Sequence, residues 1–589
     1  GAVAPPAAPA AKGAPLAGEW SVSANLRPLL AGAAACASTA LLRRAAFRDR
    51  GGYGGGGGGW GGQRSHQDMR DAKVQRETDQ FWMHQKRILR QSRPLRDDVH
   101  WKRAERELFK QAHVTQGINF DHYDEIPVER RGGKAGDEPI ESFQEACERF
   151  ELPDELTANI NRCNYNKPTP VQKHSIPAAL GGTDVMVAAQ TGSGKTAAFL
   201  VPIVTASIRD GVKAREGPAC PASVVIAPTR ELCQQIANEA ERLCFRTDVR
   251  VCSIYGGADA MPQLRLLAEG CDLAICTPGR LEDFIQRGVI SMKEVRYLAL
   301  DEADRMLDMG FEDAIRAIVV ESDMPPPGDG GQGRKTMMFS ATFPKEIQEL
   351  ALDFMMPSYL WISVGQVGTT ASNVEQRFED VAGMRIDDKF STLIEKLNEV
   401  KSADGGIGKS IVFANTKQTV DDIAWQLSDR RIRATQIHGG LSQAARDRAL
   451  NSLKQGRVHV LVATDVAARG LDLPGIDHVV NFELPNNPDD YVHRIGRTGR
   501  IGNKGVATSF VSYGESSLKG IVKSMRAAMK EDPENATPVP EWLDLQVPTG
   551  GGGGGRGRQR SRGKGGGRGG FSRGAYGGDR GYGGGRSRS

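Results

Sequence analysis

The chain lacks any pair of cysteines spaced as a metal knuckle, and its longest early apolar run is too short to cross a bilayer. Nine cysteines are scattered over 589 residues, an odd number without regular spacing. That pattern argues against a disulfide framework and a zinc site, and for reduced thiols inside a cell. The apolar run, Leu29 to Leu42, is rich in Ala and Gly, so no membrane partner is expected. Arg27, Arg43, Arg44 and Arg48 flank it, with no acid between Ser21 and Arg48. This has some likeness to an organellar transit peptide; a disordered leader in a cytoplasmic, and also nuclear, protein is the simpler expectation. A strong overall charge is missing too, since the net value is only +5. It is unevenly placed: nine Arg and one Lys against one Asp put Thr549–Ser589 at +9, leaving the rest near −4. The basic character is concentrated in an arm suited to a polyanion.

What is present divides the chain into five stretches. Residues 1–68 are a low-complexity leader ending in a Gly run, which cannot bury enough apolar surface to offset its chain entropy. Residues 69–139 are basic and partly helical in pattern, without a clean apolar stripe, and read either as a solvated helix or as an RNA-contacting one. From residue 140, short β-branched runs alternate with helical patterns: Val185–Ala189, Ser223–Ile226, Leu273–Ile275, Tyr297–Leu300 and Thr336–Phe339. A second series has Ser410–Phe413, Ala434–Ile437, His459–Val462 and His478–Asn481. Continuous apolar strands alternating with helices predict parallel sheets covered on both faces. Two tandem α/β domains are therefore expected, at 140–366 and 376–535, joined near Gly365–Gln376. Residues 536–589 pass through prolines into a disordered Gly/Arg/Ser tail.

The first chemical signal follows the strand Val185–Ala188. Ala189, Gln190, Thr191, Gly192, Ser193, Gly194, Lys195 and Thr196 form a phosphate-binding loop before a helix, with Ala in place of the usual first Gly. Loop N–H groups and the helix N-terminus suit phosphates, Lys195 the β- and γ-phosphates, and Thr196 a magnesium ion. Alone this says only that an NTP binds. The second signal is Tyr297-Leu-Ala-Leu-Asp-Glu-Ala-Asp304, an apolar strand delivering acids at its end. Asp301 suits the magnesium shell and Glu302 the attacking water. An acidic helix start is the plainer explanation of such a string, but after a phosphate loop the pair supplies the missing catalytic parts.

These strings together resemble the DEAD-box RNA helicases, in their expected order from Tyr165 to Arg500, and the resemblance implies two RecA-like domains using ATP and Mg²⁺. By it, Tyr165-Asn-Lys-Pro-Thr-Pro-Val-Gln172 is the adenine-selecting motif. Gln172 would bond the base edge, Tyr165 would lie against the ring, Lys167 would belong to the same site, and Phe143 or Phe150 would complete the pocket. Ser340, Ala341 and Thr342 would couple hydrolysis to strand separation. In His493-Arg-Ile-Gly-Arg-Thr-Gly-Arg500, Arg497 and Arg500 would be the fingers on the transferring phosphoryl, and Asp472 would contact the ribose. RNA contacts would come from Pro228, Thr229, Arg230, Gly256, Gly257, Thr277, Pro278, Gly279 and Arg280, and from Gln443, Arg446 and Thr464. Such residues grip the sugar-phosphate chain without reading bases.

Gly117–Glu129 and Pro168–Pro177 are similar to the Ded/Belle/Vasa-like branch, implying a role in translation or messenger-RNA metabolism with protein partners from those processes. Arg/Gly strings ending in an aromatic residue in the tail, such as Arg568-Gly-Gly-Phe571, pair guanidinium with rings able to stack on bases. Two other classes remain open at this point: a non-hydrolysing RNA clamp, and a DNA helicase on the same domains.

Overall fold

The computed structural model describes residues 66–90, 97–109, 127–190, 192–211, 216–328, 333–365, 374–402, 405–468, 473, 475–499, 504–531, 533 and 536–547. The expected Gly-rich leader and Gly/Arg tail lie outside them, as do Thr191, Asp472 and Arg500.

Two α/β sheets follow one another along the chain, their central strands too apolar to leave either face in water. The first has eight strands: β1 (Val128–Gly132), β2 (Val185–Ala189), β3 (Ser223–Ile226), β4 (Val251–Ile254), β5 (Leu273–Cys276), β6 (Tyr297–Leu300), β7 (Lys335–Ser340) and β8 (Leu360–Val364). Their order is β1-β8-β2-β7-β6-β3-β5-β4, parallel except for β1, which runs antiparallel to β8. Alternation along each strand splits the core into two layers: Val185 and Val187 enter one cluster, and Met186 the other. The second sheet is parallel throughout, in the order β11-β12-β10-β13-β14-β9. Its strands are β9 (Val374–Asp380), β10 (Ser410–Phe413), β11 (Ala434–Ile437), β12 (Val460–Ala463), β13 (His478–Asn481) and β14 (Gly505–Val511). It too carries an apolar cluster on each face. These are the two tandem α/β domains that the sequence pattern predicts, with the RecA-like architecture that the resemblance implies.

The strand-to-helix turns are short and polar because the turn residue caps the helix that follows. Thr229 accepts from the Leu232 N–H before the helix Arg230–Leu243, and Ser442 from the Ala445 N–H before Gln443–Lys454. Asn487 accepts from the Asp489 N–H before Pro488–Ile495. Many expected site residues sit in such turns, so the fold that satisfies helix ends also gathers the chemistry.

Part of the segment expected as a solvated or RNA-contacting extension docks on the first domain. Residues 73–89 of the helix His66–Leu89 and the helix Asp98–Leu108 both pack there, through Phe81 and Trp101 respectively. Among the described residues, no helix is long and apolar enough to cross a membrane.

Candidate functional site

In a parallel sheet the carboxyl ends of all strands face the same way, and ligands bind beyond them. The phosphate loop follows β2, Pro228–Arg230 follows β3, Gly256 and Gly257 follow β4, and Thr277–Arg280 follows β5. The acidic string follows β6 and Ser340–Thr342 ends β7. In the second sheet, Gln443 and Arg446 follow β11, Thr464 follows β12, and His493 and Arg497 follow β13. The topology thus collects the expected residues along two sheet rims.

The phosphate loop is held from outside. Gly192 and Gly194 both have φ of +86°, a conformation that costs other residues steric strain. A Cβ on Gly194 would also lie 2.6 Å from Gln172 Nε2 and 2.9 Å from Thr169 Oγ1. Those two side chains occupy consecutive loop carbonyls: Thr169 Oγ1 donates to Ser193 at 2.7 Å and Gln172 Nε2 to Gly194 at 3.0 Å. Gln172 Oε1 in turn accepts from the Thr169 N–H at 2.9 Å, closing a capping box on the helix Pro170–Leu180. The glutamine expected on the adenine edge is here tied to the loop. Lys195, buried at the helix start, donates to the carbonyl of Ala189 at 3.1 Å, while Thr196 is half-buried and Gln190 and Lys167 are exposed.

Tyr165 stacks on Phe143 at 5.5 Å with planes 20° apart, and its hydroxyl donates to Glu239. Burial, and then the charge of Glu239, raise its pKa well above the ordinary value. Phe150 packs elsewhere on the same core under the Arg149 guanidinium, so Phe143 is the aromatic partner of Tyr165.

At the end of β6, three acids are buried within four residues: Asp301, Glu302 and Asp304. Glu302 has φ of +51° and ψ of +51°, left-handed backbone that a β-carbon disfavours. Its N–H donates to Asp301 Oδ1 at 3.0 Å. Burial pushes the Asp301 carboxyl up to about 6, against the pull of Lys195. Asp304 behaves oppositely. Burial opposes its charge, but His493, Arg305, Lys195 and the Thr342 N–H hold its pKa below the ordinary value. Its Oδ2 accepts from the N–H of Ala341 at 3.1 Å, the N–H of Thr342 at 2.8 Å and Thr342 Oγ1 at 2.9 Å. His493 Nε2, from the second domain, lies 3.8 Å from the same oxygen. Asp304 was expected only as part of the acidic string; nothing local in the sequence marks it as the joint between two loops.

Two further ion pairs join the domains. Arg305, 2% exposed, bonds Asp490, and Arg446 Nη2 lies 2.8 Å from Glu231 Oε1. Gln443 Nε2 reaches the same Glu231 oxygen at 3.4 Å. In the first domain, Arg230 stacks 4.6 Å over Tyr255, and the N–H of Gly256 donates to Thr277 Oγ1 at 3.1 Å. A Cβ on Gly256, Gly257 or Gly279 would meet nothing within 4 Å, so the space beside these turns is open to an approaching chain. Buried side-chain N and O atoms are normally hydrogen-bonded. Among the described residues, the unpartnered ones include Ser193 Oγ, Ser340 Oγ, Arg230 Nε, Arg280 Nη1 and Arg446 Nε, all on expected site residues. Such donors and acceptors fit a polar ligand along the rims.

Comparison with known proteins bears on the same elements. The family model for the DEAD/DEAH box helicase matches residues 169–350, and that for the helicase conserved C-terminal domain matches residues 388–502. Together they cover just over half of the chain. The Saccharomyces cerevisiae Dbp5 structure bound to RNA and ADP BeF3 is 26% identical, with a TM-score of 0.53, and the match covers 68% of this chain and 97% of that one. A Dbp5 variant bound to a Gle1 variant and IP6 is also 26% identical, with a TM-score of 0.50, covering 69% of this chain and 97% of that one. The yeast DEAD-box splicing factor Prp28 is 31% identical over 78% of this chain and 97% of its own, with a TM-score of 0.40. The chain belongs to the DEAD/DEAH box helicase family and is an ATP-dependent RNA helicase.

Proposed function

We propose that the chain couples ATP hydrolysis to local unwinding of short RNA duplexes and to remodelling of RNA–protein complexes, in messenger-RNA metabolism or translation initiation. The observation that carries the coupling is Asp304, whose single carboxylate oxygen clasps Ala341 and Thr342 and faces His493 of the other domain. A shift of the second domain is thereby felt at the acidic string and at the loop after β7. The Ded/Belle/Vasa-like character of the segments around Gly117 and Pro168 supports the translation or messenger-RNA setting, in the cytoplasm and also the nucleus. Dbp5, solved with RNA and ADP BeF3 and with a Gle1 variant, supports both ligand classes and a protein partner on this two-domain frame.

Within that reading, Tyr165 lies against the base while Gln172, bonded to Thr169 and Gly194, braces the loop beside it; Asp472 contacts the ribose, and the loop from Ala189 with Lys195 holds the phosphates. Thr196 and Asp301 fit a magnesium ion: the Asp301 carboxyl is buried and raised to about 6, so a cation at that oxygen would offset a charge the protein itself leaves under-compensated. Mg²⁺, when bound, neutralises charge building on the phosphate oxygens. Glu302 orients the attacking water and takes its proton. Arg497, 4% exposed, and Arg500 face the charge that spreads over the transferring phosphoryl. With site residues drawn from both domains, hydrolysis requires their closure, which RNA across both rims favours.

Hydrolysis rates without nucleic acid, with single-stranded RNA and with DNA of the same sequence test this directly. RNA alone is expected to stimulate, with the effect weakening as salt rises. Glu302→Gln is expected to bind ATP and RNA while turnover falls by about 10²–10⁴-fold. Equal stimulation by DNA, or a rate indifferent to all three conditions, would overturn the assignment in favour of a DNA enzyme or a clamp.

A further inference from the structure

The helix His66–Leu89 meets the first domain along a single line of side chains. Glu77, Phe81 and Gln85 are four residues apart, hence on one face, and all three are buried. Phe81, 1% exposed, joins the apolar cluster containing Leu281 and Phe284. Gln85 Nε2 donates to the Gly217 carbonyl at 2.6 Å. Glu77 Oε2 lies 2.8 Å from Arg287 Nη1, each side chain about nine-tenths buried.

Arg287 caps the C-terminal end of the helix Pro278–Gln286, whose first residues are the expected RNA contacts. It also grips Asp283, with Nε donating to Oδ1 at 2.8 Å and Nη2 lying 2.8 Å from Oδ2. Arg280 Nε lies 3.8 Å from that second oxygen. Arg280 Nη2 donates to the Ala258 carbonyl at 3.0 Å, while its Nη1 is buried without a partner. The line Glu77–Arg287–Asp283–Arg280 therefore runs from the N-terminal helix to an arginine with a donor to spare. Phe81 and Gln85 already anchor the helix. A carboxylate beside them pays a desolvation penalty that an apolar residue would avoid, which is better explained by orienting a cation than by stability alone.

We propose that Glu77 is a positioning residue for RNA: by holding Arg287 it fixes Asp283 and the helix Pro278–Gln286, so that Arg280 is presented to a sugar-phosphate chain. The inference rests on the reading of Thr277–Arg280 as RNA contacts. In the full chain, Glu77→Gln keeps the shape and removes the charge. The concentration of single-stranded RNA giving half-maximal ATPase stimulation should rise about three- to tenfold, as expected for loss of one link in a network. The KM for ATP without RNA and the rate at saturating RNA should hold, and Glu77→Asp, which retains the carboxylate, should restore most of the RNA response. An unchanged RNA requirement in Glu77→Gln would overturn the proposal, as would equal losses for RNA and ATP. If Glu77→Gln does not fold, Arg287→Lys decides, since a lysine keeps the charge but cannot hold Glu77 and Asp283 in one fork: a raised RNA requirement with an unchanged KM for ATP supports the proposal, and a wild-type RNA requirement overturns it. Absence of RNA stimulation in the unsubstituted chain would instead sink the underlying RNA reading.

Discussion

The two domains support their working loops by different means. In the first, β2 and β5 are wholly apolar, the buried Ser223, Thr336 and Ser340 sit near strand ends, and the phosphate loop is clasped from outside by Thr169 and Gln172. In the second, polar side chains run through the sheet itself. His478 pairs with Thr508 at 2.8 Å, Asn481 Nδ2 donates to Ser509 at 3.0 Å, and Tyr491 Oη donates to Gln376 at 3.0 Å. Arg494, 2% exposed, then ties the helix Pro488–Ile495 to Asp465, to Asn415 at 2.8 Å, to Asn481 and to the Glu483 carbonyl at 2.6 Å. A hydrogen-bonded network of this kind rigidifies even with His478 Nδ1 left without a partner, and breaking one member leaves further buried groups unpaired. The first domain can therefore lose a ligand contact with little harm to its core. In the second, residues serving the site and residues serving the fold stand three apart on one segment.

Arg494 and Arg497 put that difference to its hardest test. Arg494→Ala should destabilise the second domain by about 3–5 kcal/mol, because it strands Asp465 and the network behind it. Arg497→Ala should slow ATP turnover by about 10³-fold or more, with a smaller loss of stability than Arg494→Ala. Denaturant unfolding alongside steady-state ATPase reads both. An Arg497→Ala protein as destabilised as Arg494→Ala would erase the division of labour between the two arginines.

The polar interior also makes the second domain sensitive to acid. Burial, and then the charge of Arg377, push His478 down to about 4. Its folded-state pKa thus lies below the value near 6.5 of an unfolded chain. As pH falls, the unfolded state takes up the proton first, so this contribution is complete above about 6.5 and is lost progressively toward 4. The loss reaches up to about 3 kcal/mol for a shift of this size. His174 and His493 are depressed as well, so the informative quantity is the part of the slope that disappears in His478→Gln. A stability profile with the same slope in that variant would show that the polar layer does not exclude the charge.

How far the sequence foretold this arrangement depends on whether a feature is local. β2, β3, β6, β10, β11 and β13 coincide with the expected runs, because strands covered on both faces are mostly apolar; β11, Ala-Thr-Gln-Ile, is the partly exposed edge of its sheet. β9 was not foreseen: Val-Glu-Gln-Arg-Phe-Glu-Asp alternates buried with exposed residues at the edge of its sheet. β1, Val-Glu-Arg-Arg-Gly, has no strand pattern at all and exists through its pairing with β8. The site strings were legible because each sits in one turn. Partners supplied from a distance were not: Glu239 on Tyr165, Thr169 on Ser193, and Asp490 on Arg305. The docking stripe Glu77–Phe81–Gln85 leaves no apolar stripe in the sequence because two of its three residues are polar, and hydrophobic periodicity does not mark a face held by an ion pair and an amide.

The smallest expected effect lies where the two domains meet. Arg446 was expected on RNA, yet its Nη2 pairs with Glu231, a neighbour of Arg230. The two roles are compatible because Arg446 Nε stays buried and unpartnered, leaving a donor for the sugar-phosphate chain while the pair holds the guanidinium in place. Glu231→Gln should therefore weaken the RNA response, not free Arg446 to strengthen it. A cycle of Glu231→Gln and Arg446→Ala should show a coupling of about 1 kcal/mol in half-saturating RNA, with the second substitution costing less once the first is made. Tighter RNA binding by Glu231→Gln would mean that the pair competes with RNA, and that the arrangement seen here must open before RNA can enter.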